Sequence, residues 1–379
     1  MVLSRSGDCE VRQLRLYSRR SGHFVVAAES TTMTILVTGG AGFIGSNFIL
    51  DWLAQSDDPV INLDKLTYAG NLGNLRDVQD SSRYIFAHVD IADTAQVSSL
   101  LTQFNVRAIV HFAAESHVDR SISSPSTFVE TNVMGTSLLL ETALQHWRDG
   151  HDLRFLHVSP DEVFGSLGPD DPPVVESSPY SPNSPYAASK AGADHMVRAY
   201  GETYGLPVLI THCSNNYGPY HFPEKLIPLL IHNATSGKSL PLYGDGRQVR
   251  DWLYVTDHCR ALRMVLADGR PGQSYNIGGN AELQNIEVAQ AICAILDQTL
   301  PKADGTSYAD QITFVHDRPG HDRRYAVNSS KLRSELGWEP VETFATGIAK
   351  TVRWYLDHLE WTEAVTGGGY RDWIARQYI

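Results

Sequence analysis

Two adjacent acidic residues follow an apolar segment near the middle of the chain. The stretch HVSPDEVFG contains Asp161 and Glu162 directly after Pro160. Adjacent acids after a strand usually form a solvated turn. Two interacting carboxyl groups can also hold different protonation states when their environments differ, and can then act as a general acid and a general base. The pattern therefore has two interpretations, a polar turn and an acid–base pair.

A tyrosine and a lysine lie four residues apart in the stretch YAASK. Tyr186 and Lys190 share one face if this segment is a helix. A tyrosine works as a general base only if its pKa is lowered toward neutrality, which a nearby ammonium group and the charge of a nicotinamide ring can do. The alternative is an ordinary pair on an amphipathic helix. After the fifth strand of a dinucleotide-binding fold, the pair favours a redox role.

A glycine-rich turn, GGAGFIG, supplies Gly39, Gly42 and Gly45 between an apolar segment and an amphipathic one. Glycines allow a tight turn and let a diphosphate approach the backbone N–H groups of a helix N-terminus. Asp64 follows 19 residues after Gly45, where a carboxylate can hold ribose hydroxyls and would repel a 2′-phosphate. The sequence therefore predicts NAD rather than NADP as the cofactor, although the neighbouring Lys65 weakens that preference.

Alternating segments predict the elements that position these residues. Strands are predicted at TILVTGG, PVINLD, RYIFAHVDI, RAIVHFAA, LRFLHVS and PVLITHCS, and helices at FIGSNFILDWLAQ, TAQVSSLLTQF, TFVETNVMGTSLLLETALQHW and YAASKAGADHMVRAYGETYG. Apolar strands separated by helices indicate a parallel sheet that is buried on both faces. We expect an α/β fold, a doubly wound parallel Rossmann sheet with a second, smaller substrate-binding domain.

The domain boundaries follow from the same pattern. Residues 33–214 are predicted to be the dinucleotide-binding domain, residues 215–379 mainly the substrate-binding domain, and a segment around 248–275 is expected to return to the first. Residues 1–32 are rich in Arg and Ser without a sustained period. They are interpreted as a disordered extension, with a targeting peptide as the alternative, and Met33 as the start of the fold.

Composition limits the classes of partner. A formal net charge of −12 over 379 residues argues against nucleic acid or an anionic membrane as the main partner. No apolar run approaches the roughly 20 residues of a membrane span. The four cysteines are scattered, and the fifteen histidines show no HExxH spacing, so no metal site is predicted. Scattered cysteines suit a reducing cytoplasm.

From Met33 to near the C-terminus the chain resembles the extended short-chain dehydrogenase/reductases, and within them the dTDP-glucose 4,6-dehydratase family. The resemblance rests on these segments: TGGAGFIGS, LDKLTYAGNL, HFAAESHVDRSI, SPDEVFG, SPYAASKAGADH, CSNNYGPYHFPEKLIP, GDGRQVRDWLYVTDH and DRPGHDRRYAVN. It implies NAD as cofactor, dTDP-glucose as substrate, dTDP-4-keto-6-deoxyglucose as product, and a homodimer formed through the helices around 125–147 and 186–204.

The resemblance also implies roles for individual residues. Tyr186 and Lys190 would serve oxidation at C4, Glu162 would take the C5 proton, and Asp161 would protonate the C6 oxygen. The implied cofactor residues are Gly39, Gly42, Phe43, Ile44, Gly45, Asp64, Lys65, Asp90, Ile91, Ala113, Ala114, Ser116, Thr131, Tyr186, Lys190 and Asn216. The implied substrate residues are Ser116, Asn215, Lys225, Leu226, Tyr243, Arg250, Asn285, Arg318 and His321. Guanidinium groups such as those of Arg250 and Arg318 match the oxygens of a diphosphate.

One position departs from the family pattern. The family has Ser-Thr-Asp-Glu-Val-Tyr-Gly where this chain has Ser159 to Gly165 with Pro160 and Phe164. Pro160 removes a threonine hydroxyl that the family places beside the C4 oxygen of the sugar. Alternation along a strand is expected to point the Ser159 hydroxyl to the opposite face. Two alternatives therefore stay open: another extended reductase, such as a UDP-sugar epimerase or decarboxylase, and a binding protein that Pro160 has disabled.

Overall fold

A parallel sheet of seven strands forms the centre of the computed structural model, which describes residues Met33–Gly367. Twelve strands are found in these residues: β1 Ile35–Thr38, β2 Val60–Asp64, β3 Tyr84–His88, β4 Ala108–His111, β5 Arg154–Pro160, β6 Val208–Cys213, β7 Asn215–Tyr217, β8 Leu240–Tyr243, β9 Val249–Tyr254, β10 Ser274–Ile277, β11 Glu282–Gln284 and β12 Ile312–Val315. The central sheet has the order β10-β6-β5-β4-β1-β2-β3, and every pairing in it is parallel. The predicted doubly wound α/β fold is confirmed.

Helices cover both faces of this sheet. The same residues contain α1 Phe43–Gln55, α2 Thr94–Gln103, α3 Val118–Ser123, α4 Pro125–Phe128, α5 Thr136–Arg148, α6 Pro185–Tyr204, α7 Leu226–Thr235, α8 Val255–Asp268, α9 Asn285–Thr299, α10 Ser330–Leu336, α11 Phe344–Asp357 and α12 Leu359–Val365. One apolar cluster lies on the side of α1 and α8, and another on the side of α2, α5 and α6. Burial on both faces explains why the strands are almost continuously apolar.

The start of α6 is specified locally. Ser184 is its N-cap and accepts a hydrogen bond from the Ala187 N–H, and Pro185 occupies the first turn. Both residue types favour a helix start because the first N–H groups of a helix have no intrahelical partner. The cap therefore sets where Tyr186 and Lys190 lie on the helix.

The helix predicted around 127–147 is interrupted. α4 and α5 are joined by a π-helical segment, Val129–Gly135, so the helical path runs from Pro125 to Arg148 with one wide turn. Short π-helical segments often mark functional sites. Here the wide turn contains Asn132, whose Nδ2 donates to Ser189 Oγ at 2.9 Å and to the Glu115 carbonyl at 3.0 Å. The Asn132 side chain therefore links the loop after β4 to α6.

The later part of the chain contributes to the sheet as well as forming smaller sheets. β10 extends the central sheet beside β6, and α8 packs against α1. β7, β9 and β11 form a three-stranded sheet, while β8 and β12 form a parallel pair. The described residues belong to one compact unit. The predicted domain boundary at 214/215 stays a prediction, and the predicted extension, residues 1–32, lies outside the described residues.

Candidate active site

A cavity of about 360 Å³ opens at the carboxyl ends of the parallel strands, where the strand order reverses between β1 and β4. Ligands of open α/β sheets bind at this kind of crevice. All the residues that the sequence assigns to the cofactor border it: Gly39, Gly42, Phe43, Ile44, Gly45, Asp64, Lys65, Asp90, Ile91, Ala113, Ala114, Ser116, Thr131, Tyr186, Lys190 and Asn216.

The glycine turn leaves room for a diphosphate. Gly39 has φ +69°, and a Cβ there would lie 2.7 Å from the Ala113 backbone nitrogen. A Cβ on Gly45 would lie 2.4 Å from the Gly39 carbonyl oxygen. α1 begins directly after this turn with no acidic residue in its first turn. The turn and the helix N-terminus therefore fit a diphosphate, which needs close backbone approach and tolerates no fixed negative charge.

Asp64 holds the glycine turn and the loop after β2 together. Its Oδ2 accepts from the Ala41 N–H at 3.0 Å and its Oδ1 from the Leu66 N–H at 2.8 Å. Burial raises the pKa of Asp64, and these two N–H donors oppose that effect. Lys65 is paired with Asp90 at 3.3 Å. Asp90 thus partly neutralises the positive charge of Lys65, which weakened the predicted preference for NAD over NADP. The Asp64 carboxylate borders the cavity.

Tyr186 and Lys190 lie one turn apart at the beginning of α6, and both are buried. The Lys190 ammonium donates to the Val158 carbonyl of β5 at 2.9 Å. Burial, and next the Glu162 carboxyl, raise the pKa of Tyr186 well above its ordinary value. The phenol therefore stays protonated in the protein by itself, and a positive charge in the cavity is needed before Tyr186 can act as a base.

Asp161 and Glu162 are not a solvated turn. They begin a 3₁₀ turn, Asp161–Phe164, at the end of β5, and both border the cavity that also contains Tyr186. Asp161 is 3% exposed. Burial, and next the Glu162 carboxyl, raise the pKa of Asp161 well above its ordinary value. Burial raises the pKa of Glu162 as well, but Lys225, Arg250 and Arg318 oppose it.

These environments divide the two carboxyls by role. The cations that oppose burial at Glu162 favour the ionised form, whereas at Asp161 burial and two neighbouring acids favour the protonated form. The pKa of both carboxyls is raised on balance, and that of Asp161 more strongly, so Asp161 is held toward the protonated form more firmly than Glu162.

The residues assigned to the substrate fall into two groups. Ser116, Asn215, Lys225 and Leu226 border the cavity, and Lys225 Nζ donates to the Ser116 carbonyl at 2.8 Å. Tyr243 and Arg318 converge on Asp119, at 3.1 and 2.8 Å, and the His321 ring meets the Tyr243 ring edge to face. This second group lies outside the residues that border the cavity. It is joined to the site through the influence of Arg318 on Glu162.

Arg250 lies on β9, and Asn285 follows the neighbouring strand β11. The Arg250 guanidinium covers the Tyr325 ring at 4.3 Å and donates to the Asp322 carbonyl at 3.0 Å. Asn285 begins α9 directly after β11, which pairs with β9 next to Arg250. Neither Arg250 nor Asn285 is among the described residues that border the cavity. The assignment of Asn285 to the substrate, like those of the other site residues, stays a prediction.

Pro160 ends β5 in an extended conformation, φ −88° and ψ 164°, and is paired with Cys213 of β6. Ser159 and Pro160 both border the cavity. The Ser159 hydroxyl is buried and has no hydrogen-bond partner among the described residues. A buried hydroxyl without a partner is costly unless a ligand or water satisfies it. Ser159 is therefore a hydroxyl donor next to the position where the family has threonine.

Sequence reasoning missed several residues that position the site. Asp119 orients Tyr243 and Arg318, and Glu224 binds Arg120 through two guanidinium contacts, at 3.0 and 3.1 Å. Asp119 and Arg120 lie in HFAAESHVDRSI and Glu224 in CSNNYGPYHFPEKLIP, segments that sequence analysis singled out without assigning these residues. No sequence pattern indicated Asn132, because its hydrogen bonds to Glu115 and Ser189 depend on the π-helical turn.

The parallel sheet, the glycine turn and the Tyr186–Lys190 pair define an extended short-chain dehydrogenase/reductase. The family model described as GDP-mannose 4,6 dehydratase matches residues 36–351. Two relatives named dTDP-glucose 4,6-dehydratase come from Xanthomonas campestris, 58% identical over 89% of this chain and 97% of the relative, and from Salmonella typhimurium, 54% identical over 91% and 99%. The solved dTDP-glucose 4,6-dehydratase of Streptomyces venezuelae, with NAD bound, has a TM-score of 0.81 and 50% identity over 88% of this chain and all of that one.

The chain belongs to the dTDP-glucose 4,6-dehydratase family. The resemblance stated from the sequence is thereby confirmed, and the epimerase or decarboxylase alternative is not favoured. In Met33–Gly367 no helix is long and apolar enough to cross a membrane.

Proposed function

We propose that the chain catalyses the NAD-dependent dehydration of dTDP-glucose to dTDP-4-keto-6-deoxyglucose. The observation that supports this most strongly is the pair Asp161 and Glu162 on the wall of the cavity that contains Tyr186 and Lys190. A dehydrogenase needs only the second pair. Elimination of water requires a proton donor and a proton acceptor in addition, and two carboxyls in different environments can supply both.

The proposed reaction has three steps: oxidation at C4, elimination of water across C5 and C6, and return of the hydride to C6. Tyr186 takes the proton of the C4 hydroxyl, and Lys190 holds positive charge beside it. The C4 ketone then acidifies the C5 proton, which Glu162 removes while Asp161 protonates the departing C6 oxygen. NAD bound along the glycine turn would accept the C4 hydride and give it back at C6, and Glu162 would return a proton to C5, so that the net change is the loss of one water. Because the cofactor is regenerated in each turnover, it has no need to leave.

Positive side chains support the binding of a nucleotide diphosphate. Lys225, Arg250 and Arg318 all act electrostatically on Glu162, and Lys225 borders the cavity. Guanidinium and ammonium groups bind diphosphate oxygens through charge-assisted hydrogen bonds. We assign the nucleotide sugar mainly to residues 215–379 and the cofactor to residues 33–214.

The test is to incubate the purified protein with dTDP-glucose and to identify the product by mass spectrometry and NMR. We expect loss of one water and a 4-keto-6-deoxy sugar. UDP-glucose and GDP-mannose serve as matched controls for the nucleotide. A change at C4 without loss of water would instead identify an epimerase, and tight binding of dTDP-glucose without turnover would identify a binding protein.

We also propose that the chain forms a homodimer and that it lies in the cytoplasm. On the helical path from Pro125 to Arg148 and on α6, Val129, Met134 and Tyr204 are exposed, the first two by 54% and 59%. Large apolar side chains at the surface of a soluble domain support an interface between copies. Sedimentation of the wild type and of Met134→Glu tests it, with a dimer expected only for the wild type. Cell fractionation tests the location.

A further inference from the structure

A layer of polar side chains lies buried behind Lys190. His157 of β5, His212 of β6 and Asp194 of α6 are each at most 1% exposed, and Tyr180 reaches them from the loop before α6. None of these residues has a role in the proposed chemistry. Buried polar groups are retained only when their partners compensate for the lost water, so the partners of this layer indicate what it does.

Asp194 lies at the centre of the layer. His157 Nε2 is 3.1 Å from Asp194 Oδ1, and His212 Nε2 is 3.2 Å from Oδ2. The Tyr180 hydroxyl donates to Oδ2 at 3.0 Å and lies 2.7 Å from His212 Nε2. The Nδ1 atoms of both imidazoles are buried without a partner among the described residues, so both rings make their polar contacts in this layer through Nε2.

These contacts keep the carboxylate charged. Burial alone would raise the pKa of Asp194, but the neighbouring imidazoles of His157 and His212 outweigh it and hold the pKa below its ordinary value. Burial lowers the pKa of His157 to about 4, so that ring is neutral at neutral pH. Asp194 therefore holds a negative charge in this layer, and His157 adds no positive charge to it.

Lys190 provides the positive charge. Its ammonium is buried, 3.4 Å from His157 Nε2, and lies one helical turn before Asp194 on the same face of α6. Burial lowers the pKa of Lys190, and Asp194 is the first group that opposes this. Asp161 and Glu162 lie near other cations, Arg250 at both and Lys225 at Glu162, and burial keeps the Cys213 thiol neutral.

We propose that Asp194 is a positioning residue, the buried counter-charge of the Lys190 ammonium, held in place by His157, His212 and Tyr180. This inference rests on the proposed function, because Lys190 matters only if Tyr186 oxidises the sugar. An isolated ammonium in this dry layer would lose its proton rather than bear the cost of desolvation. Asp194 keeps it charged without touching substrate or cofactor.

The negative charge on Asp194 raises the pKa of both Tyr186 and Lys190. The titratable and charged groups in and around this layer are His111 on β4, His157 on β5, His212 and Cys213 on β6, Asp161 and Glu162 in the turn after β5, Tyr180, and Tyr186, Lys190, His195 and Arg198 on α6. Removing a negative charge lowers the pKa of its neighbours. Tyr186 would then lose its proton at lower pH, and so would Lys190, so both limbs of the activity profile move in the same direction.

The test is the pH dependence of kcat/KM for dTDP-glucose in Asp194→Asn. We expect the whole profile to move to lower pH by about one to two units, the size of one unit charge several ångströms away in a protein interior. Tyr180→Phe removes one donor but leaves the charge, so its optimum should stay in place. Asp257→Asn, which removes a buried carboxylate from α8, is the matched control and should also keep the wild-type optimum.

An unchanged optimum in folded Asp194→Asn, whatever its rate, would overturn the inference and leave Asp194 a structural residue. Titration of Lys190 in the wild type by NMR of ¹³C-labelled lysine needs no variant: a Lys190 that is neutral at pH 7 would also overturn it. If the wild type does not dehydrate dTDP-glucose, the proposed function fails first, and the NMR titration still decides the charge of Lys190.

Discussion

Replacing Pro160 with threonine tests how this chain orients the sugar. Pro160 borders the cavity next to Asp161, and proline has neither a hydroxyl nor a backbone N–H to donate. The family pattern has a threonine hydroxyl here. Pro160→Thr therefore adds one donor at the place where the C4 oxygen is expected, and we expect it to raise kcat with little change in substrate affinity.

The size of the effect follows from the geometry. A conformation with φ −88° and ψ 164° is open to threonine, so the substitution requires no change in the path of β5. One oriented donor that acts in the transition state contributes about 2–4 kcal/mol, which corresponds to roughly 30- to 900-fold in rate. Loss of the proline ring costs about 0.4–1 kcal/mol of stability through the unfolded chain. We therefore expect a gain in kcat of at least about tenfold and a slightly lower Tm.

The assay compares both proteins under saturating NAD, following product by its keto-sugar absorbance, with thermal unfolding measured in parallel. Equal turnover in folded proteins would refute the reasoning and show that another group orients the C4 oxygen. Ser159 is the residue to test in that case, because its buried hydroxyl lacks a partner among the described residues. Ser159→Ala should then reduce kcat in the wild type more than in Pro160→Thr.

Substitutions at three further positions test separate parts of the site. We expect NAD to copurify with the protein and Asp64→Ala to lower the NAD occupancy, measured by absorbance after denaturation. Asp64→Asn should have an intermediate occupancy, because its amide oxygen still accepts hydrogen bonds from the glycine turn. NADP in the purified protein would contradict the assignment of Asp64. Tyr186→Phe should abolish the transient absorbance at 340 nm on mixing with substrate while calorimetry finds nearly unchanged binding, and oxidation at the wild-type rate would exclude Tyr186 as the base. Glu162→Gln should still oxidise C4 but stop exchange of the C5 proton, so solvent deuterium that enters C5 at the wild-type rate would place the base elsewhere.

Local patterns in the sequence were sufficient for six of the seven strands of the central sheet and for the glycine turn. Six apolar segments predicted β1 to β6, and the glycine turn with Asp64 predicted the end of the sheet at which the cavity opens. Such features are predictable because strand burial, tight turns and helix caps depend on residues close together in the chain. The roles of Asp161, Glu162, Arg250 and Arg318 came from resemblance, since neither acidic turns nor surface arginines are distinctive by themselves.

Tertiary structure decided which groups share one environment. The different surroundings of Asp161 and Glu162 depend on Lys225, Arg250 and Arg318, which lie far away in the chain. The layer behind Lys190 unites His157, Tyr180, Asp194 and His212 from two strands, a loop and a helix. Burial and charge act over a few ångströms in space, whereas a sequence pattern reports only spacing along the chain, so protonation states became predictable only once the sheet had brought these elements together.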